Sequence, residues 1–179
     1  MVKVDRSKTI MDDAEIARAL TRIGHQILES NKGVENLVII GVLNRGFPLA
    51  KRVAKIIGGV EKKKIPVGSI DVSLYRDDLT KKGKYITMRK SSMPFRLDDK
   101  NVVLVDDVIF AGRTARAALD GLKDYGRAAK VQLAVLVDRG HRQLPIQPDF
   151  IGKRIPTAFK EDVNVELLET DGADRVYIK

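Results

Sequence analysis

Two adjacent carboxylates, Asp106 and Asp107, follow the apolar run VVLV, and a turn of small residues, Ala111-Gly112-Arg113-Thr114, comes shortly after them in the stretch VVLVDDVIFAGRT (102–114). Acids where a buried strand ends can take hydrogen bonds from sugar hydroxyls or attract a metal ion. A small turn that opens a helix offers approachable backbone N–H groups, a hydroxyl and the positive end of the helix dipole, which together cradle a phosphate. A ligand that suits both carries a phosphate at one end and hydroxyls near the acids, as a ribose 5-phosphate does. The same residues also suit a plain strand-to-helix turn with an acidic cap, so spacing alone leaves both readings open. The chain has neither a GxxxxGK[ST] loop nor a GxGxxG fingerprint.

Chemistry at a strand end needs strands and helices in alternation, and the chain supplies them. Asp12 and Glu15 have capping-box spacing, and Ile16, Leu20, Ile23 and Ile27 recur at helical spacing until Gly33. On the opposite side of that helix lie Arg18, Thr21, Arg22 and His25, facing solvent or a partner. LVIIGVL (37–43) reads as a buried strand, the turn Asn44-Arg45-Gly46 follows, and Pro48 suits the first turn of a helix that ends at Gly58-Gly59. IDVSLY (70–75) alternates as a second strand should, and 76–96 is polar without a period, the mark of a functional lid, a binding loop or a disordered insertion. Then come a strand at 102–105, a helix at 113–124, a strand at 131–137, a turn-rich segment, the short strand DFIG, and a terminal hairpin from VNVELLE to RVYIK. This order predicts an α/β fold with a mainly parallel central sheet flanked by helices, built as a single domain over 1–179.

Composition narrows the partners. The net charge of +9 points to polyanionic company, either phosphorylated small molecules or nucleic acid. The absence of cysteine excludes disulfides and thiolate metal sites and fits a reducing compartment. The apolar run 37–43 is too short to span a bilayer, and the first residues lack the apolar core of a signal peptide. These features predict a cytoplasmic protein with no membrane association.

The motif VVLVDDVIFAGRTARAALD resembles the phosphoribosyl-diphosphate (PRPP) binding motif of type I phosphoribosyltransferases. With ALTRIGHQILESNKG, DVSLYRDDL, LAVLVDRGHRQLPI and DFIGKRIPT, nearly the whole chain is similar to the PyrR family of bifunctional pyrimidine-operon attenuation regulators and uracil phosphoribosyltransferases. That resemblance implies the type I phosphoribosyltransferase fold, with a flexible loop at about 76–96 and a hood at about 138–165. It also implies the reaction of uracil with PRPP to give UMP and diphosphate, with Mg²⁺ carried on diphosphate and ribose oxygens and no metal site of the protein's own.

By the same resemblance Asp106 and Asp107 hold the ribose hydroxyls and Ala111, Gly112, Arg113 and Thr114 hold the 5-phosphate. Asn44, Arg45 and Gly46 form the diphosphate loop, and Arg76 opens a lid over it. Val137, Asp138 and Arg139 belong to the hood above the pyrimidine, with Val163 lending backbone contacts. Ala111 departs from the hydroxyl residue usual in the family, and Asn44 from its usual Thr. The family's second role implies an mRNA leader stem-loop as partner, met by Arg18, Thr21, Arg22 and His25 with Arg142 and Lys153. Ser30 and Gln147 stand at two of its basic positions, for which Arg18, Arg52, Lys153 and Arg154 could compensate. A homodimer or homotetramer is expected. Two readings compete: a regulator that is also an enzyme, and a salvage enzyme alone.

Overall fold

The computed structural model describes residues 8–73 and 91–179. Strand β1 (Lys8–Met11) leads into helix α1 (Asp13–Asn31), which starts with the expected capping box: Asp12 Oδ1 accepts from Glu15 N at 2.7 Å and Glu15 Oε2 accepts from Asp12 N at 3.1 Å. The helix buries Ile16, Leu20, Ile23 and Ile27 and stops at Lys32, in the left-handed region, followed by Gly33. Strand β2 (Leu37–Val42) is buried throughout.

Helix α2 (Gly46–Glu61) runs through Gly58-Gly59, where the sequence predicts its end, and stops at left-handed Lys62. Each interior glycine costs a helix about 1 kcal/mol. The complete burial of Leu49, Val53 and Ile57 along the same helix outweighs that.

Strand β3 (Val67–Ile70) precedes the alternating segment expected to form it, sharing only Ile70 with 70–75. The reason is the partner: β2 pairs from Ile39 opposite Val67 to Val42 opposite Ile70 and then ends. Arg76 and most of the expected loop lie outside the described residues. Its final residues are anchored, because Ser69 and Ser92 exchange backbone hydrogen bonds of 2.7 and 3.0 Å and Met93 and Phe95 pack on the core.

Strand β4 (Asn101–Ile109), helix α3 (Arg113–Leu122) with a 3₁₀ turn at Lys123–Tyr125, strand β5 (Lys130–Asp138) and strand β6 (Phe150–Arg154) complete the main sheet. All its pairings are parallel, in the order β3-β2-β4-β5-β6. Strand β7 (Val163–Glu166), the short helix α4 (Leu168–Asp171) and strand β8 (Arg175–Ile178) form the expected hairpin. Strand β1 adds to the free edge of β8, a pairing with no sequence signal because only Met11 of β1 is buried.

The pleat divides the core. Leu37, Ile39, Val103, Val105 and Leu136 face α1, α2 and the small sheet, whereas Val38, Ile40, Val102, Leu104 and Val135 face the α3 side. The chain leaves β2 toward β3 on one side and reaches β4 on the other. The β2–β4 crevice is therefore a topological switch point, where open α/β sheets bind ligands.

Gly46 lets α2 begin against that crevice, since a Cβ there would lie 2.4 Å from the carbonyl oxygen of Val105. Gly46→Ala should destabilise the protein by about 1–3 kcal/mol, read as a lower urea midpoint at unchanged slope. An unchanged midpoint would show that the helix shifts freely.

Candidate active site

Strand β4 extends beyond the apolar run because it stays paired with β5 through Val108 opposite Val137 and Ile109 opposite Asp138. The acids therefore lie within a strand and not, as expected, just after one. Alternation sends neighbours to opposite faces. Asp106 lines a cavity of about 270 Å³ on the α3 side together with residues 108–115. Both acids line a second cavity of about 150 Å³, shared with Asn44, Arg45 and Thr114. Two carboxylates adjacent in sequence thus have different surroundings. Burial pushes the Asp107 carboxyl above its usual range, opposed by the Val108 N–H that donates to Oδ1 at 2.8 Å and by the charge of Arg45.

The turn expected to cradle phosphate is held by residues of the expected hood. The carbonyl of Ile109 accepts from Arg139 N at 3.2 Å, that of Phe110 from Arg142 Nη1 at 2.9 Å, and that of Ala111 from Gln143 N and Leu144 N at 3.0 and 3.1 Å. In a trans peptide the next N–H points opposite to its carbonyl, so the N–H groups of Phe110, Ala111 and Gly112 turn away from these donors. Gly112, at φ +90°, is the N-cap of α3, and Arg113, Thr114 and Ala115 of the first turn line the same cavity. Ala111 lines this cavity without a hydroxyl. Arg113 Nε donates to Gln143 Oε1 at 3.2 Å, which ties the turn to the hood a second time.

The hood is a knot of inward-turned charge. Asp138, 8% exposed, accepts from Gly140 N at 3.0 Å and pairs with Arg142 at 2.7 Å. Arg139, 6% exposed, lies over the Phe110 ring and donates to Thr157, Ala158 and Phe159. Phe110, His141 and Phe159 form an aromatic cluster with centroids 5.6 to 6.0 Å apart. Val137 is fully buried, so its side chain belongs to the core; Val163 is half-buried and packs on the same core. Neither lines the two cavities.

The residues expected to meet RNA divide. Arg18, Thr21, Arg22 and His25 are exposed on one face of α1, and Arg22 donates to the Gly152 carbonyl of β6. Lys153 is beside them, its Nζ donating to the Ile10 carbonyl at 2.8 Å. Arg142 turns inward instead, bonded to Asp138, Phe110, Gly140 and Ile146. Arg52 is held by Glu169 and Asp174 and cannot compensate on the α1 face. Sequence reasoning misses Gln143 and Asp171, whose contacts with Arg113 and Arg45 span 30 and 126 residues and leave no local pattern.

Residues 7–170 match the phosphoribosyl transferase domain family. Fold and site together define a phosphoribosyltransferase. The bifunctional protein PyrR of Acetivibrio thermocellus is 53% identical over 175 residues, 98% of this chain and 95% of that protein. That of Deinococcus radiodurans is 55% identical over 168 residues, 94% of this chain and 92% of its own. A hypoxanthine-guanine phosphoribosyltransferase from Bacillus anthracis superposes with a TM-score of 0.72 at 20% identity, covering 95% of this chain and 96% of that one, and shares the fold. The chain belongs to the PyrR family of phosphoribosyltransferases.

Asp107 gives a signed prediction. A carboxyl whose folded pKa is raised favours the native state at pH below its unfolded value of about 3.9, and that contribution is lost as pH rises through the folded pKa. Asp107→Asn should therefore raise Tm at pH 7, with the gain disappearing toward pH 3, while kcat/KM for PRPP falls at least tenfold as a charged acceptor is lost. Thermal melts at both pH values beside steady-state kinetics check this; a lower Tm at pH 7 would contradict it.

Proposed function

We propose that this protein transfers the phosphoribosyl group of PRPP to uracil, giving UMP and diphosphate, and that it also binds a pyrimidine-operon mRNA leader to attenuate transcription. The observation that carries the enzymatic reading is the meeting of three parts at one switch point: the acids of β4, the N–H cradle at 111–114 and the Asn44-Arg45-Gly46 turn after β2. Asp106 and Asp107 take the ribose hydroxyls, the cradle takes the 5-phosphate, and Arg45 takes the diphosphate. Arg76 is assigned to a lid over the diphosphate on sequence alone. The Arg139 knot, with Val137 and Val163 through their backbones, shapes the pyrimidine side.

In the reaction the bond from C1′ to diphosphate breaks and one from C1′ to the pyrimidine nitrogen forms, with loss of that nitrogen's proton. No protein nucleophile is needed. Positive charge grows on the sugar and negative charge on the leaving group, so catalysis is positioning and electrostatic stabilisation by Asp106, Asp107 and Arg45. Among the described residues no three His, Asp or Glu side chains converge on a point. Asp106 and Asp107, which line one cavity with Arg45, would be the carboxylates beside a Mg²⁺ carried on the substrate's oxygens. When bound, the ion neutralises charge on the departing diphosphate.

The RNA reading rests on a separate surface. Arg18, Thr21, Arg22 and His25 share the exposed face of α1, and Arg18, Arg22 and Lys153 line a shallow depression of about 310 Å³ against β6. Arginine and lysine on a stem-loop backbone make affinity fall with salt, and unpaired loop bases supply selectivity. A homodimer or homotetramer completes the proposal.

Incubation with PRPP and Mg²⁺ should yield UMP from uracil and no nucleotide from hypoxanthine or guanine. Product from a purine alone would overturn the pyrimidine assignment. Arg22→Ala with His25→Ala should weaken leader-hairpin binding and leave uracil transfer within about twofold, because the α1 face and the strand-end site are on different elements. Equal affinity of the unsubstituted protein for hairpin and scrambled RNA, with or without UMP, would leave the salvage enzyme as the better reading.

A further inference from the structure

Arg45 does not reach its cavity unsupported. Its Nε and Nη2 donate to Oδ2 and Oδ1 of Asp171 at 3.1 and 2.8 Å, a two-pronged pair between the β2–α2 turn and the last residue of α4. Asp171 is itself fixed, its Oδ2 accepting from Thr170 Oγ1 at 2.6 Å and from Leu167 N at 3.0 Å. The segment that carries it is tied down on both sides. Leu167 is fully buried, and Arg52 of α2 forks onto Glu169 and Asp174.

The geometry of the pair is directional. Asp171 takes the Nε and Nη2 donors on one edge of the guanidinium and leaves Nη1 without a hydrogen-bond partner among the described residues, and Arg45 lines the cavity that Asn44, Asp106 and Asp107 also line. At 38% and 22% side-chain exposure the pair is a modest source of stability. A planar fork held by one edge, however, fixes the plane and aim of the donors on the other edge.

We propose that Asp171 is a positioning residue for phosphoribosyl transfer: it holds the Nε edge of Arg45 so that the opposite edge is aimed at the diphosphate of PRPP. This rests on the assignment of diphosphate to Arg45 made above. Alignment before binding removes the cost of ordering a long side chain at the moment the substrate arrives. The opposite arrangement, in which Asp171 blocks Arg45 and diphosphate must displace it, differs in sign.

The test is steady-state kinetics and product inhibition on the full chain for Asp171→Ala, Asp171→Asn, Arg45→Ala and the Asp171→Ala, Arg45→Ala double variant. Asp171→Ala should raise KM for PRPP about tenfold, the scale of a lost charge-assisted bond, and weaken inhibition by diphosphate in parallel. The KM for uracil and the affinity for UMP, neither of which carries a diphosphate, should stay within about twofold. Asp171→Asn, which keeps one acceptor oxygen, should fall between, and in the Arg45→Ala background Asp171→Ala should cost nothing further. Tighter diphosphate binding by Asp171→Ala, no change in KM for PRPP, or an equal loss of UMP affinity would each overturn the proposal. Unchanged PRPP kinetics in Arg45→Ala would instead overturn the diphosphate assignment on which it rests.

Discussion

The parallel pairing of β2 with β4 is the constraint on which the rest depends. It sets Leu37 to Gly41 beside Asn101 to Val105, so that the turn after β2 and the acids of β4 emerge at one level of the sheet. Because β3 lies on the far side of β2 and β5 on the far side of β4, the connections from these two strand ends diverge and leave a crevice between them. A helix must still start there without closing it. The close approach of α2 to the Val105 carbonyl at Gly46 meets that demand, and Asn44 and Arg45 then line the same cavity as Asp106 and Asp107.

Around this crevice, many of the described polar groups are held by other polar groups. The 109–111 carbonyls accept from the hood, and the hood arginines Arg139 and Arg142 donate to hood carbonyls, Asp138 and Thr157. This cross-bracing explains how a turn of small residues, which contributes little packing, keeps one shape. It also redistributes the formal charge of +9, since Arg45, Arg52, Arg139 and Arg142 all meet internal partners. Arg18 and Arg22 on the α1 face stay exposed.

Asp107, which we propose holds a ribose hydroxyl, sets stability against that role. A carboxylate raised out of its usual range by burial is a cost to the folded state at neutral pH, and the strand around it offers more backbone pairing than side-chain compensation. Sites that must bind charge and sugar tolerate such costs because the ligand repays them when it binds.

Much of the architecture was legible in local patterns. Capping-box spacing at Asp12 and Glu15, the buried run at 37–43, the Asp106-Asp107 pair before a small turn, and the terminal hairpin are each short-range signals, written within a few residues by the pleat, the helical repeat or a turn. Element ends were less legible: α2 outran its glycines, and β3 formed at 67–70 because β2 offered partners only there. What only the tertiary structure decided were pairings across long stretches of chain. Among these are the edge addition of β1 to β8, the bond from Arg142 to the Phe110 carbonyl, and the fork of Asp171 on Arg45. Such contacts have no period and no spacing rule. Their partners are chosen by the packed sheet, which brings together side chains that the sequence lists more than a hundred residues apart.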